Sequence, residues 1–346
     1  MSRAMASQPL QSLLLKNSRE RDDRNMCSLN SNIQLLRHIP EFTSLIASMQ
    51  NESALLSVLS SIFSQCGRNI PVSASLFRQL LATQVGRPLD SGEQYDTVEI
   101  LNYLLDIFPN ELFHFDTSTQ YRFKINGKAS SCPTCKQFPR EIPGSDKILK
   151  IALPNSQSRL SLQALVNESF SPVNQQDGRR CNNCLDTNPN TPLMPSIEKT
   201  NLLNHPPYLF MQILRMRYSQ GKTEKNCIPI EVQTEIIVDQ QCYQIIGIVT
   251  HMGTADAGHN RAYLRVQSEW YICEDDKPVN VKIPVDTPFE QCYCLLWKKK
   301  DTESMQEVSQ SSVAPNLIPL IHCEAPSSLG SHQGLLILGP IDKPEN

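Results

Sequence analysis

No run in this chain approaches the ~18 consecutive apolar residues that a membrane-spanning helix needs, so a bilayer partner is not expected. The Leu13-Leu14-Leu15 triplet near the start is too short for the apolar core of a secretory signal. An excess of one charge is also missing: 32 Lys and Arg face 35 Asp and Glu, a net of −3 at pH 7. That balance gives no drive toward nucleic acid, and the short Lys298-Lys299-Lys300 run reads as a solvated strand end. No internal repeat is visible. Hydrophobic residues make up 40% of the 346, enough for a sizeable core in one large domain or two ordinary ones. Twelve cysteines would suit a disulfide framework in a short secreted chain, but this chain is long and carries no such signal. The expected setting is a reducing one, cytoplasmic or nuclear.

Along the chain, residues 1–20 read as a polar leader, expected to be disordered. From Cys27 to about Phe108 the pattern is helical: Leu29, Ile33 and Leu36 share one helix face, and Val98, Leu101, Leu104 and Leu105 share another. Pro40 and Pro109 punctuate the ends of those runs. After Leu112, short β-like segments take over at 121–125, 148–153 and 208–214, separated by polar, Pro- and Asn-rich stretches such as 188–195. A further β-rich block from Ile228 to Trp297 holds segments at 243–249, 261–266 and 270–273. Residues 301–346 carry Ser, Pro, Gly and Gln with little periodicity and are expected to form a flexible tail. The sum is an α+β protein.

Two sets of residues carry chemistry. Cys132-Pro-Thr-Cys135 and Cys181-Asn-Asn-Cys184 are paired CxxC knuckles, and four thiolates are the donor set of tetrahedral Zn²⁺. A closed four-sulfur shell leaves no open position, so such a site would be structural, holding a β-rich segment with little core of its own. Two unrelated reduced pairs, or a redox pair, are the competing reading. The second set is a thiol with a distant base. Cys27 sits just before the first helix, where the helix dipole favours a thiolate. Gly258-His259 precedes a β-like run, and Glu274-Asp275-Asp276 follows another, which would suit a base and its orienting carboxylate. Taken singly, a cysteine is more often a small buried hydrophobe and a histidine a structural residue. On chemistry alone, His251 rivals His259.

Four blocks in order resemble the ubiquitin-specific proteases. Asn25-Met-Cys27-Ser-Leu-Asn30-Ser31-Asn-Ile-Gln34 is similar to the end of that family's Cys box, Asn-Thr-Cys-Tyr-Met-Asn-Ser-x-Leu-Gln. Gln94-Tyr-Asp96-Thr-Val-Glu99-Ile-Leu resembles its Gln-x-Asp-Ala-x-Glu-Phe-Leu helix. The paired knuckles resemble its zinc-bearing fingers. Tyr243 to Tyr263, with His251, Gly253, Gly258 and His259, resembles its His box. The likeness covers roughly residues 25–298. It implies a papain-like fold of thumb (about 21–112) and of fingers and palm (about 113–300), within a catalytic domain at 21–300. It implies Cys27 as nucleophile, His259 rather than His251 as base, and Glu274 with adjacent Asp275 at the third position. Asp96 matches a position that contacts an arginine of the ubiquitin tail, so ubiquitin and ubiquitinated proteins are the implied partners. The implied activity is thiol-dependent hydrolysis of the isopeptide bond after ubiquitin's terminal glycine.

The resemblance stops abruptly before Asn25. The family pattern there, Gly-Leu-x-Asn-x-Gly, puts an oxyanion-donating Asn five residues ahead of the nucleophile, where this chain has Asp22. A carboxylate cannot donate and would repel the developing charge, and losing one such donor costs ~10²–10³ in rate. Met26 replaces Thr, and Asn260 replaces the Tyr after the base. A ubiquitin-binding pseudoenzyme that keeps the fold without effective turnover is therefore the alternative expectation.

Overall fold

Five helices open the chain: α1 (Cys27–Arg37), α2 (Pro40–Ser48), α3 (Ala54–Ser64), α4 (Ser75–Val85) and α5 (Thr97–Ile107). Pro40, read as a helix stop, instead opens α2, at the first-turn position where a missing N–H costs nothing. Ser53 caps α3 by accepting from the Leu56 N–H at 3.2 Å, and Asp96 caps α5 through Val98 and Glu99 at 2.7 and 3.1 Å. Gly86, with φ 67°, ends α4 in the left-handed conformation that glycine takes without strain.

The computed structural model describes residues 11–18, 21–89, 93–108, 110–154, 158–219, 221–277, 282–283 and 291–301. The tail expected at 301–346 lies, from Thr302 on, outside the described residues, as do residues 1–10 of the leader. The chain forms two compact units. The first takes residues up to 116, then 145–169 and 202–299; the second takes 117–144 and 170–201.

In the first unit the strands Ile148–Ala152, Tyr208–Leu214, Cys292–Lys299, Gln241–Gly253, Gly258–Val266, Glu269–Cys273 and Lys282–Ile283 lie side by side in one sheet. Neighbours are antiparallel except for Ile148–Ala152 against Tyr208–Leu214. This sheet is the palm and the helices are the thumb. One core joins helices and sheet. Leu29, Ile33, Leu35, Phe42, Phe108 and Phe113 are buried with Phe210, Val249, Leu264 and Leu296, and Phe42 meets Phe108 edge-on at 4.9 Å. Gly247 on the long strand leaves room for Leu35: a Cβ there would lie 2.6 Å from Leu35 Cδ2, so the leucine would have to shift.

The second unit, the fingers, is a sheet of Phe115–Ile125, Lys128–Ser130, Ile142–Asp146, Val173–Arg179 and Met194–Leu202. Its core is small: Tyr121, Phe123 and the buried sulfurs of Cys132, Cys181 and Cys184.

The leader departs from expectation. Leu13 and Leu15 are 1% and 0% exposed, and Leu15 forms a parallel bridge with Val72. The Val72 N–H donates to Leu14 O at 2.9 Å, and the Leu15 N–H donates to Asp275 O at 3.0 Å. Residues 11–18 are therefore an ordered segment rather than part of a disordered leader. Three leucines look too short to matter in sequence because their partners are all non-local. Replacing Leu15 by alanine should cost about 2–5 kcal/mol, the range for a fully buried leucine, read as a lower urea midpoint at constant m-value. An unchanged midpoint would place this segment outside the core.

Candidate active site and metal centre

Cys27 is the first residue of α1, at the positive end of the helix dipole. Met26 has no side-chain cap to offer; its N–H is instead taken by Asn17 Oδ1 at 3.1 Å. The helix is buried all round except at Arg37, so its polar face meets protein rather than water. Gln34 donates to Leu13 O at 2.7 Å, Asn32 to Thr97 O at 2.8 Å, and Asn30 to Lys16 O and Asp275 Oδ1 at 3.2 and 2.8 Å. These bonds fix the height and rotation of α1, and with them the position of the thiol.

His259 lies on the strand Gly258–Val266, with its imidazole close enough to the Cys27 thiol for each to shift the other's ionisation. Its Nε2 faces Glu274 Oε1 at 3.3 Å and Asp275 Oδ2 at 3.9 Å, which leaves Nδ1 for the sulfur. Cys27 raises the imidazole pKa against the opposing effect of burial, and the two carboxylates add to it. Burial opposes ionisation of the Cys27 thiol, but His259 and Asn260 outweigh it and lower its pKa. Both shifts favour a thiolate–imidazolium pair.

The two carboxylates differ in character. Glu274 is the nearer, and Arg261 and Lys277 reach it at 2.9 and 3.1 Å; against its burial, they hold its carboxyl below the ordinary value. Asp275 is more deeply enclosed, and burial pushes its pKa up despite donation from Asn17 and Asn30 at 2.8 Å each. Glu274 is thus the carboxylate held ionised beside His259, while Asp275 ties the leader to α1.

Asp22, expected at the oxyanion position, is exposed on the turn Arg21–Asp23. The buried Arg78 pins that turn through the carbonyls of Asp22 and Arg24, at 2.8 Å each. The amide beside the start of α1 is Asn17, from the segment expected to be a disordered leader. Leu15-Lys16-Asn17 repeats the Leu-x-Asn of the Cys-box pattern farther upstream.

Asp96 brings its own block to the site. Its Oδ1 caps α5, and its Oδ2 accepts from the Tyr293 hydroxyl; a carboxylate retains further acceptor capacity. Gln94 Oε1 accepts from the Gly258 N–H at 3.0 Å, holding the turn that carries His259. His251 packs over Gly258, where a Cβ would lie 2.2 Å from its Nε2. Burial lowers the His251 pKa, and the ring faces Gly258 rather than the thiol.

In the second unit the four knuckle sulfurs all lie within 4.8 Å of one another. Cys132 and Cys184 are 3.7 Å apart and Cys135 and Cys181 3.8 Å, far beyond an S–S bond at about 2.05 Å. Tetrahedral Zn–S bonds of about 2.3 Å place sulfurs roughly 3.8 Å apart, so the donor set fits such an ion. Burial works against ionisation of Cys132, but N–H groups of Cys135 and Thr134 bring its pKa down to about 7. Burial and the neighbouring cysteines push Cys184 up to about 12. A bound divalent cation would remove that penalty by displacing the protons.

Helices bearing a thiol, packed on a sheet bearing its imidazole and carboxylate, have the fold and site of a papain-like cysteine protease. A model of the family described as ubiquitin carboxyl-terminal hydrolase matches residues 20–297. The chain belongs to that family. Probable ubiquitin carboxyl-terminal hydrolase 8 of Schizosaccharomyces pombe is 24% identical over 230 residues, covering 64% of this chain and 49% of that protein. The match thus spans about half the length of the curated relative. A chain of the SAGA DUB module Ubp8/Sgf11/Sus1/Sgf73 bound to monoubiquitin superposes with a TM-score of 0.65 at 17% identity, over 86% of this chain and 72% of that one. The same module bound to ubiquitin aldehyde gives 0.63 at 18%, over 82% and 71%.

Metal analysis of the purified chain should find one tetrahedral divalent cation per molecule, lost when Cys132 or Cys184 is changed to serine. A metal-free chain that unfolds as cooperatively as the loaded one would remove any structural role for the cluster.

Proposed function

We propose that the chain is a thiol-dependent deubiquitinase that cleaves the isopeptide bond after ubiquitin's terminal glycine. The observation that carries this reading is the Cys27–His259 pair at the start of α1, backed by Glu274. The Cys27 thiolate attacks the carbonyl carbon, and its electrons move to the oxygen. On collapse, the imidazolium of His259 gives its proton to the departing lysine amine, leaving a ubiquitin thioester. His259 then takes a proton from water, whose oxygen displaces the sulfur and frees ubiquitin.

Asn17 is the candidate for the oxyanion role that Asp22 does not fill. Its amide nitrogen carries two N–H bonds; Asp275 takes one, and the second is offered to the acyl oxygen. Asp96 would receive an arginine of the ubiquitin tail. Zn²⁺ held by Cys132, Cys135, Cys181 and Cys184 would be structural, replacing the hydrophobic core that the second unit is too small to build. Ubiquitin and ubiquitinated proteins are the partners of this reading, in the cytosol or nucleus, where thiolates persist.

Ubiquitin carrying a thiol-reactive group at its C-terminus should label the chain, and Cys27→Ala should abolish labelling. A folded, metal-loaded chain that stays unlabelled would leave only a ubiquitin-binding pseudoenzyme. On a ubiquitin–fluorophore substrate, Asn17→Ala should lower kcat by ~10²–10³, the usual cost of one oxyanion donor, whereas Asp22→Ala should leave it unchanged. The reverse pattern would restore Asp22 to the site. The pH profile of kcat/KM should be bell-shaped. Its acid limb, where Cys27 loses its proton, should lie below the ordinary thiol value of 9.0, and its alkaline limb, where His259 loses its own, above 6.5. A rate profile does not say which group sets which limb, so the thiolate absorbance of the parent against Cys27→Ala assigns them; a thiolate midpoint at 9.0 would mean that the pair does not form.

A further inference from the structure

Two positions beside the reacting pair differ from the family pattern together. Ser28 follows the nucleophile and Asn260 follows the base, where the pattern has tyrosine at both. Both side chains are buried, at 4% and 6% exposure, and they touch. Asn260 Nδ2 donates to Ser28 Oγ at 2.9 Å and lies 3.7 Å from Cys27 Sγ. Ser28 Oγ in turn donates to Tyr95 O at 2.5 Å.

The two ends of an amide are otherwise hard to tell apart, but here the chemistry decides. A hydroxyl has one hydrogen, and that of Ser28 is committed to the Tyr95 carbonyl. Ser28 therefore meets Asn260 with a lone pair and requires the N–H end. The same nitrogen is the atom turned toward the sulfur, so its remaining N–H points at Cys27.

We propose that Asn260 is a catalytic residue whose side-chain amide, oriented by Ser28, donates to the Cys27 thiolate and holds it ionised beside His259. This rests on Cys27 being the nucleophile. The charged groups facing the thiol are the His259 imidazole and, behind it, Glu274 and Asp275, with the dipole of α1 beneath. Asn260 adds a donor without adding a charge. A sulfur held this way is less nucleophilic per thiolate, but more of it is thiolate near neutral pH. The same N–H meets the negative charge that returns to sulfur when water cleaves the thioester, so the donor acts in both halves of the cycle.

The test needs no ubiquitin. Alkylation of Cys27 by iodoacetamide is followed across pH by mass spectrometry of its peptide. Asn260→Ala should move the midpoint up by about one unit, an about 10-fold slower reaction well below it. Ser28→Ala should move it in the same direction by less, because the amide is then free to turn. The double variant should match Asn260→Ala alone. Asn260→Asp, which replaces the donor by a carboxylate, should move it farthest. An unmoved midpoint in Asn260→Ala with parental thermal unfolding would overturn the proposal; should that variant not fold, an unmoved midpoint in Ser28→Ala would do so. A depressed midpoint in the parent, raised by these variants, in a chain that ubiquitin electrophiles do not label would keep this inference and remove the deubiquitinase reading.

Discussion

Burying α1 on every side is the constraint from which the rest of the site follows. A helix beginning at Cys27 with Ser, Asn and Gln on one face would ordinarily show that face to water. Packed instead between the sheet and the leader, its buried amide N–H groups need acceptors, because an unmet buried polar group costs about 1–3 kcal/mol. The partners found are the carbonyls of Leu13, Lys16 and Thr97 and the carboxylate of Asp275. Gly247 leaves room for Leu35 on the apolar side. Hydrogen bonds on one face and packing on the other leave α1 little freedom, and the thiol at its tip inherits that precision.

The strand side of the site is held as tightly. Gln94 fixes the turn before His259, and a side chain at Gly258 would collide with His251. Two adjacent carboxylates stand behind the imidazole, and their surroundings separate them: guanidinium and ammonium groups keep Glu274 charged, while neutral amides and burial surround Asp275. One stands against the imidazole at 3.3 Å, and the other joins the leader, α1 and the loop after the strand Glu269–Cys273. This division lets the longer Glu274 stand where the family pattern usually has aspartate or asparagine.

The fingers follow a different economy. Their sheet surrounds a core of two aromatic rings and the knuckle sulfurs. Gly178, at φ 79° and with Met194 backbone 2.8 Å from where a Cβ would be, permits the irregular pairing before the second knuckle. The Tyr121 hydroxyl meets the Arg180 carbonyl and the Asn182 N–H at 3.2 and 3.1 Å, so the aromatic core is keyed directly to the Cys181–Cys184 turn.

What the sequence by itself determined was everything set by short spacing. The CxxC turns bring two sulfurs together through neighbouring residues, the helix faces of α1 and α5 repeat within a turn or two, and strand segments such as 208–214 and 270–273 show in composition. The motif order was likewise legible, and with it the family and the fold. Tertiary structure alone decided what depended on partners far apart in the chain. Leu15 became core because Val72 and Asp275 wait for it, and Pro40 opened a helix rather than closing one because α2 packs on Phe108. Asn17 lies at the start of α1, and Asp22 faces outward on the turn Arg21–Asp23, which Arg78 pins. Ser28 and Asn260, two unremarkable polar residues in sequence, became a relay at the thiol because strand and helix meet there. Local geometry is written in neighbouring residues; which side chains share a buried site is fixed by how the whole chain closes its polar groups.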